Sequence, residues 1–417
     1  MITAIANAFR VPELRRRILF TLAIVAVYRI GAHIPVPGVD LERVQDIIEG
    51  QAALGLLNLF SGGALENFAV FALGIMPYIT ASIIMQLLQG VIPKVEQWAK
   101  EGEAGQRKIT QTTRYLTLAI SSVQAIAMLG LFQSALAPAG VTLDIVSRAV
   151  IVITLIAGTS LIMWMGELIT QRGIGNGMSL MIFASIVARF PVAIVQSVRL
   201  GNTAMTLALV VIFVFVVAAV VTIDRGQRRI PVQYAKRVVG RKVYGGAGTY
   251  IPLKINGANV IPIIFASAIL FFPAQIATLT GVEWMQSVGN SLSSGSLYYF
   301  FFAGLVIFFT YFYTALVFNP IDLADNLRKN GGFIPGVRPG KTTVNYLEKT
   351  MNRITLPGAV FLALIAIAPT ALFRATGVTV LEQFGGASIL IMVGVALETM
   401  TQLESQLKMR HYDGFFK

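Results

Sequence analysis

The sequence predicts an all-α membrane protein with ten transmembrane helices, and three observations carry that expectation. Hydrophobic residues make up 55% of the 417 and charged residues only 13%, with a mean hydropathy of +0.72. A soluble chain of this length would divide into two or three domains, which this composition rules out. Ten apolar runs occur at 18–37, 74–92, 115–136, 149–169, 178–196, 205–223, 260–280, 298–318, 354–373 and 386–403. Each approaches the roughly 20 apolar residues that cross a bilayer. The connections between them alternate between rich and poor in Lys and Arg.

That alternation sets the orientation. One side collects 27 of the 33 basic residues: those of the N-terminal tail up to Arg17, the segments 93–114, 224–258 and 320–353, and Arg172, Lys408, Arg410 and Lys417. The other side has Arg43, Arg148, Arg189, Arg199 and Arg374, and Arg29 lies inside the first run. Short loops rich in Lys and Arg stay in the cytoplasm, so both termini are expected there. The net charge of +13 is compatible with nucleic-acid binding. Positive-inside topology and attraction to anionic lipids explain it more simply. The first run follows Arg15-Arg16-Arg17 and ends in GAHIPVPG without a small-x-small cleavage pattern. It reads as a retained span rather than a signal peptide.

Most catalytic chemistry lacks its residues. There is no cysteine, and the two histidines, His33 and His411, lie far apart. No Ser/Lys, His/Glu or paired-Asp arrangement stands out and no nucleotide-binding motif is present, so no catalytic residue, metal or cofactor is expected. Ionisable groups within membrane spans mark function by default. Here they are sparse: Arg29, Glu167 and Glu398, read as structural partners or interfacial snorkellers. The polar residues Gln86, Gln124 and Asn256, in or beside spans, read as interhelical hydrogen-bonding groups.

The stretch from Leu54 to Ile92 is too long and too interrupted for one span. A short apolar piece to Phe60 meets the turn Ser61-Gly62-Gly63, then a second piece carries Glu66 and Asn67, and a full span follows from Gly74. Broken helices at membrane depth survive only inside protein or beside a water-filled cavity. This points to a channel or a transporter. Ten spans would also fit two inverted halves of five, as in many transport proteins. Segment 38–53 reads as a small amphipathic helix, and 281–297 as a flexible Gly/Ser loop.

Two long basic segments suggest docking. Residues 224–257 alternate polar and apolar positions, favouring a short β-hairpin. Residues 326–349 are punctuated by Gly331-Gly332, Pro335-Gly336 and Pro339-Gly340. Connections this long are usually functional, and their charge suits a large acidic partner such as RNA or another protein. QRGIGNGMSL at 171–180 reads as a tight turn with Asn176 capping the next helix. It is not a phosphate loop, because no Lys follows.

Several of these stretches stand together in a known order: FSGGALENF, FALGIMPYITASIIMQLL, QRGIGNGMSL, RGQRRIPVQYAKR, YTALVFNP and GGFIPGVRPG. The chain thereby closely resembles the SecY/Sec61-alpha family, whose bacterial members are the central subunit of the Sec protein-conducting channel. The resemblance runs from Arg15 to the last span. It implies two pseudo-symmetric halves of five helices, 1–190 and 205–417 with a hinge at 191–204, arranged as an hourglass with a plug at about 54–68. Phe60, Ser61, Gly62, Gly63, Ala64 and Leu65 would form the heart of that plug. Ile75, Ile79, Met178, Ile182, Ile264 and Ile391 would form a hydrophobic pore ring. Met178 stands where many relatives have Ile, a similarly sized and more flexible replacement. Thr80, Gln124 and Asn256 would form a polar cluster at a lateral gate between helices 2, 3 and 7. Arg228, Arg229, Lys236, Arg237 and Arg338 would contact the SecA motor or the ribosome. The subunits SecE and SecG, signal sequences, unfolded polypeptides and anionic lipids complete the implied partners, at the bacterial inner (plasma) membrane. Translocation of unfolded polypeptides, with lateral release of apolar segments into lipid, is the implied function. A secondary transporter of a small solute is the alternative, disfavoured by the lack of midplane carboxylate pairs and by the two basic loops.

Overall fold

The computed structural model describes residues 9, 11–37, 39–49, 52–132, 144–199, 203–234, 237–239, 242–244, 248–280, 296–376 and 385–413. Within them each apolar run forms one helix. The first part of the chain builds α1 (Pro12–Gly31), short α2 (Leu41–Glu49) and α3 (Ala52–Phe60), then α4 (Met76–Val91) and short α5 (Pro93–Lys100). It continues through α6 (Glu103–Leu131), α7 (Ile145–Arg172) and α8 (Gly177–Arg199). The second part builds α9 (Thr203–Arg225), α10 (Ile261–Thr280), α11 (Ser296–Val317), short α12 (Pro320–Lys329), α13 (Lys341–Thr376) and α14 (Gly386–Asp413). Among the described residues, α6, α7, α13, α14 and the segment containing α11 are each long and apolar enough to cross a membrane by themselves.

Proline marks the main departures from the expected boundaries. α1 stops at Gly31, short of the apolar run's end, because Pro35 and Pro37 favour extended chain. Residues 34–36 instead bridge to 68–70: Val36 N donates to Phe68 O at 2.9 Å and Val70 N to Ile34 O at 3.0 Å. α4 and α5 meet at an angle of 99°. Ile92, before Pro93, is extended (φ −99°, ψ 114°), as a residue preceding proline prefers. Segment 38–53 contains the expected short helix, α2, while 281–295 lies outside the described residues.

Packing organises the helices into two groups. α4 packs on α6, α6 on α7, and α7 on both α8 and α1. In the second group α10 packs on α11, α11 on α13, α13 on α14, and α9 on α14. The groups meet along two seams, α10 against α4 and α6, and α8 against α9 and α14. One apolar cluster crosses both seams, from Tyr28, Leu57 and Phe68 to Ile186, Phe265, Leu362 and Leu390.

A second, smaller core lies outside the helix bundle. β1 (Gln227–Tyr234) precedes the hairpin strands β2 (Arg237–Val239) and β3 (Lys242–Tyr244), then β4 (Thr249–Lys254). β1 pairs antiparallel with β4 and, at its far end, with β5 (Gly332–Phe333), giving the order β4-β1-β5. Ile230, Val232 and Leu253 point inward with period two and pack on Ala324, Leu327, Ile334, Leu347 and Met351. The two basic segments, expected as separate loops, form one folded unit, and residues 320–329 and 341–353 are helical on either side of the expected turns at 330–331, 335–336 and 339–340. Asn319 explains part of this: its side-chain oxygen caps α12 by accepting from Ile321 N and Asp322 N, with Pro320 at the first turn.

The broken segment approaches α7 closely at Gly158, where a Cβ would lie 1.9 Å from Val70 O. Gly158→Val should therefore destabilise the bundle by about 1–3 kcal/mol, read as a lower melting temperature of the purified protein in detergent. Gly130→Ala, at a helix position with nothing within 4 Å of the added Cβ, should leave that temperature unchanged or raise it.

Candidate functional site

The break in the bundle is a folded object. After α3 the chain runs through consecutive turns from Ser61 to Ile75 before α4 begins. Phe60, Ser61, Gly62, Gly63, Ala64 and Leu65 are all buried, and Phe60, Ala64 and Leu65 join the main apolar cluster with Leu57 and Leu59. Gly62 (φ 69°) and Gly63 (φ 89°) supply the left-handed backbone that reverses the chain. Ser61 Oγ donates to Asn58 O at 3.1 Å and accepts from Leu65 N at 3.2 Å, closing the turn on itself.

Side chains from α1 and α8 hold this turn in place. Tyr28 Oη donates to Ser61 O at 3.0 Å and lies 2.7 Å from Ser185 Oγ. Arg29 Nη1 donates to Gly62 O at 2.7 Å. Arg189 Nη2 donates to Glu66 Oε2 at 2.5 Å, and the same oxygen accepts from Asn58 Nδ2 at 3.0 Å. Asn58 Oδ1 in turn accepts from Glu66 N at 3.0 Å. The reading of Arg29 as a structural partner thus acquires its partner, a backbone carbonyl. Sequence reasoning passed over Tyr28, Asn58, Ser185 and Arg189. The usable signal was a carboxylate inside a broken apolar stretch, with one of few arginines on the opposite-charge side at the end of a later span.

The six candidate ring residues come from four helices of both groups. Ile75 and Ile79 stand at the start of α4, Ile182 on α8, Ile264 on α10 and Ile391 on α14, and all five are buried in the cluster that also holds the broken segment. Met178 is half-buried on its margin, with its sulfur directed at Gly166 of α7, where a Cβ would lie 2.4 Å from it.

Of the candidate gate residues, Thr80 lies on α4, Gln124 on α6 and Asn256 in the connection between β4 and α10. Gln124 and Asn256 are buried and Thr80 is half-buried. Thr80 Oγ1 donates to Met76 O in its own helix at 3.0 Å, and Asn256 Nδ2 donates to Asp224 Oδ1 at 3.5 Å. Thr80 and Asn256 therefore satisfy donors locally, while Asn256 Oδ1 is buried with no partner. Arg228 and Arg229 are exposed on β1, and Arg338 is exposed in the connection before α13. The Arg229 guanidinium lies 4.8 Å from the Tyr250 ring centroid, a cation–π contact that keeps it extended over the sheet. Lys236 lies outside the described residues, as does the Arg237 side chain.

The turn between α7 and α8 is as expected. Asn176 Oδ1 accepts from Met178 N at 3.0 Å and Ser179 N at 3.3 Å, capping α8. Thr170 Oγ1 accepts from Gly177 N at 2.9 Å, and Thr21 Oγ1 from Ile174 N at 3.2 Å, tying the turn to α1. Glu167 is a structural partner of Arg114, which grips it with two bonds of 2.8 and 2.5 Å between α7 and α6.

A model of the SecY family matches residues 69–400. The protein translocase subunit SecY of Streptomyces galbus is 49% identical, with all of both chains covered. The chain belongs to the SecY family. The SecY fold agrees with solved structures. One, of a SecY protein whose plug domain stabilises the closed state of the translocation channel, matches with a TM-score of 0.63 at 18% identity, covering 96% of each chain. Sec61 in the canine ribosome-channel complex from the endoplasmic reticulum matches with a TM-score of 0.58 at 16% identity, again over 96% of each chain. This SecY-family chain is a membrane protein, a translocase channel subunit and not an enzyme. The small-solute transporter alternative finds no support in these relatives.

Arg114→Leu should strand the Glu167 carboxylate, which is only 14% exposed. A loss of about 1–3 kcal/mol is expected, measured as a lower melting temperature. Adding Glu167→Gln to that variant should recover part of the loss, because the stranded charge is gone.

Proposed function

We propose that this chain, in a closed state, is the pore of a polypeptide-conducting channel with three working parts. Residues 60–65 are the plug, the aliphatic residues Ile75, Ile79, Met178, Ile182, Ile264 and Ile391 are the constriction beneath it, and the α4/α6/α10 seam is the lateral gate. One observation carries the reading. A turn-rich, non-helical segment is buried in the same apolar cluster that holds aliphatic side chains of both helix groups.

The chemistry suits a passing chain. Aliphatic walls offer water and ions no hydrogen bonds and resist wetting, and their side chains yield to an extended polypeptide of any sequence. Opening the α10 seam would expose the passing chain to lipid, where a sufficiently apolar segment partitions. At that seam Thr80, Gln124 and Asn256 are polar groups whose exposure to lipid is costly, so they favour closure. The halves 1–190 and 205–417 would part about 191–204, which covers the last turns of α8 and the start of α9.

The basic platform built on β1, β4 and β5 lies on the cytoplasmic side, as do both termini, in the inner membrane of a bacterium. Arg228, Arg229, Lys236, Arg237 and Arg338 receive an acidic partner there. The sequence has no nucleotide-binding motif, so the driving force comes from the SecA motor, a translating ribosome or the membrane potential. The canine relative's ribosome complex supports the second source. SecE and SecG are the expected companion subunits, and anionic lipids neutralise the remaining basic surface.

The absence of cysteine permits a direct test. A single Cys at Ile79, in channel assembled with SecE and SecA, should form a disulfide with a Cys in a secretory chain stalled halfway through. A Cys at the exposed Val150 should not. No bond from any ring position during active translocation would refute the pore assignment. Separately, Arg228→Glu with Arg229→Glu and Arg338→Glu should weaken ribosome binding. If each arginine contacts one RNA phosphate, the slope of log affinity against log salt should flatten by roughly 0.7–0.9 per lost contact.

A further inference from the structure

We infer that Arg29 and Arg189 form a two-arginine clamp that sets how readily the plug leaves its seat, with the Arg189–Glu66 ion pair as its adjustable half. The inference rests on the plug reading above and adds the residues that govern it. Two guanidinium groups flank consecutive residues of the same turn. A Cβ at Gly62 would lie 2.8 Å from Arg29 Nη1, and one at Gly63 would lie 2.5 Å from Arg189 Nη1. The glycines therefore serve twice, by reversing the chain and by admitting an arginine on each side.

The two halves of the clamp differ chemically. Arg29 donates to a backbone carbonyl, Gly62 O, so its grip is indifferent to plug side chains. Arg189 grips a side chain, Glu66, whose carboxylate is aimed by Asn58 from the preceding helix. Both arginines belong to the first helix group, so the clamp ties the plug to that group and spans neither seam. The Arg189 and Glu66 side chains are 24% and 33% exposed. The pair is thus neither screened like a surface ion pair nor sealed in the core. A charge-assisted bond of this kind shifts a two-state equilibrium by roughly ten- to a hundredfold. That is large enough to govern resting closure and small enough for an incoming chain to overcome.

The test uses the complete channel complex in planar bilayers and proteoliposomes. Glu66→Gln and Arg189→Gln should each raise the resting ion leak about tenfold or more and admit precursors with weakened signal sequences. The charge-swapped pair, Glu66→Arg with Arg189→Glu, should bring the leak back down. Wild-type leak in both single variants would overturn the clamp. So would a leak in the singles that the swap fails to reduce, because the effect would then be general loss of packing. Deleting residues 60–65 separates the two levels of the reading. Leak on deletion with none in the glutamine variants refutes the clamp alone, and no leak on deletion refutes the plug itself.

Discussion

The structure depends on satisfying the backbone of a segment that is not helical in the middle of a membrane bundle. Unpaired N–H and C=O groups in hydrocarbon cost several kcal/mol each, so such a segment must be wrapped in protein. Here the turns from Ser61 to Ile75 bond among themselves, to the extended residues 34–36, and to Tyr28 and Arg29. The requirement shapes its neighbours. α1 ends early so that its following strand can bridge to residues 68–70, and α7 carries Gly158 where Val70 presses against it.

A channel must be tight when closed and still open without unfolding, and the two kinds of contact around the plug divide that work. Apolar packing of Phe60, Ala64 and Leu65 on the common core is non-directional and tolerates sliding. The hydrogen bonds from Tyr28, Arg29 and Arg189 are directional and specify one seated position. Within the first group, α6 and α7 are joined by the Arg114–Glu167 pair.

The basic platform needs its own core for a similar reason. Arginines useful for docking must be exposed and held apart, which a flexible loop does poorly because ordering it on binding opposes affinity. Ile230, Val232 and Leu253 anchor the sheet on α12 and the start of α13, so the exposed residues of β1, including Arg228 and Arg229, are presented on a rigid surface. α13 runs without interruption from this platform into the bundle, so the small core and the second helix group share one continuous helix.

Local chemistry left much of this legible in the sequence. The ten helices, the break at Ser61-Gly62-Gly63, the Asn176 cap and the β character of the 224–257 segment follow from hydropathy, turn residues and short-range periodicity, each read within a few residues of itself. The ring and plug assignments rest on motif resemblance, because an isoleucine in a membrane helix carries no sign of which neighbour it faces. Other features were decided by the tertiary structure alone. Glu66 meets Arg189 across 123 residues, and β1 pairs with β5 from a different connection, since nothing local says which helices lie side by side. The same holds for the hydrogen bonds of Thr80 and Asn256, which the family resemblance places in one polar cluster with Gln124. Thr80 Oγ1 donates to Met76 O and Asn256 Nδ2 to Asp224 Oδ1, because a hydroxyl or amide takes the acceptor that the folded chain places within reach. Sequence determined what each segment is; packing decided what each side chain touches, and hydrogen bonds and ion pairs form only at contact distance.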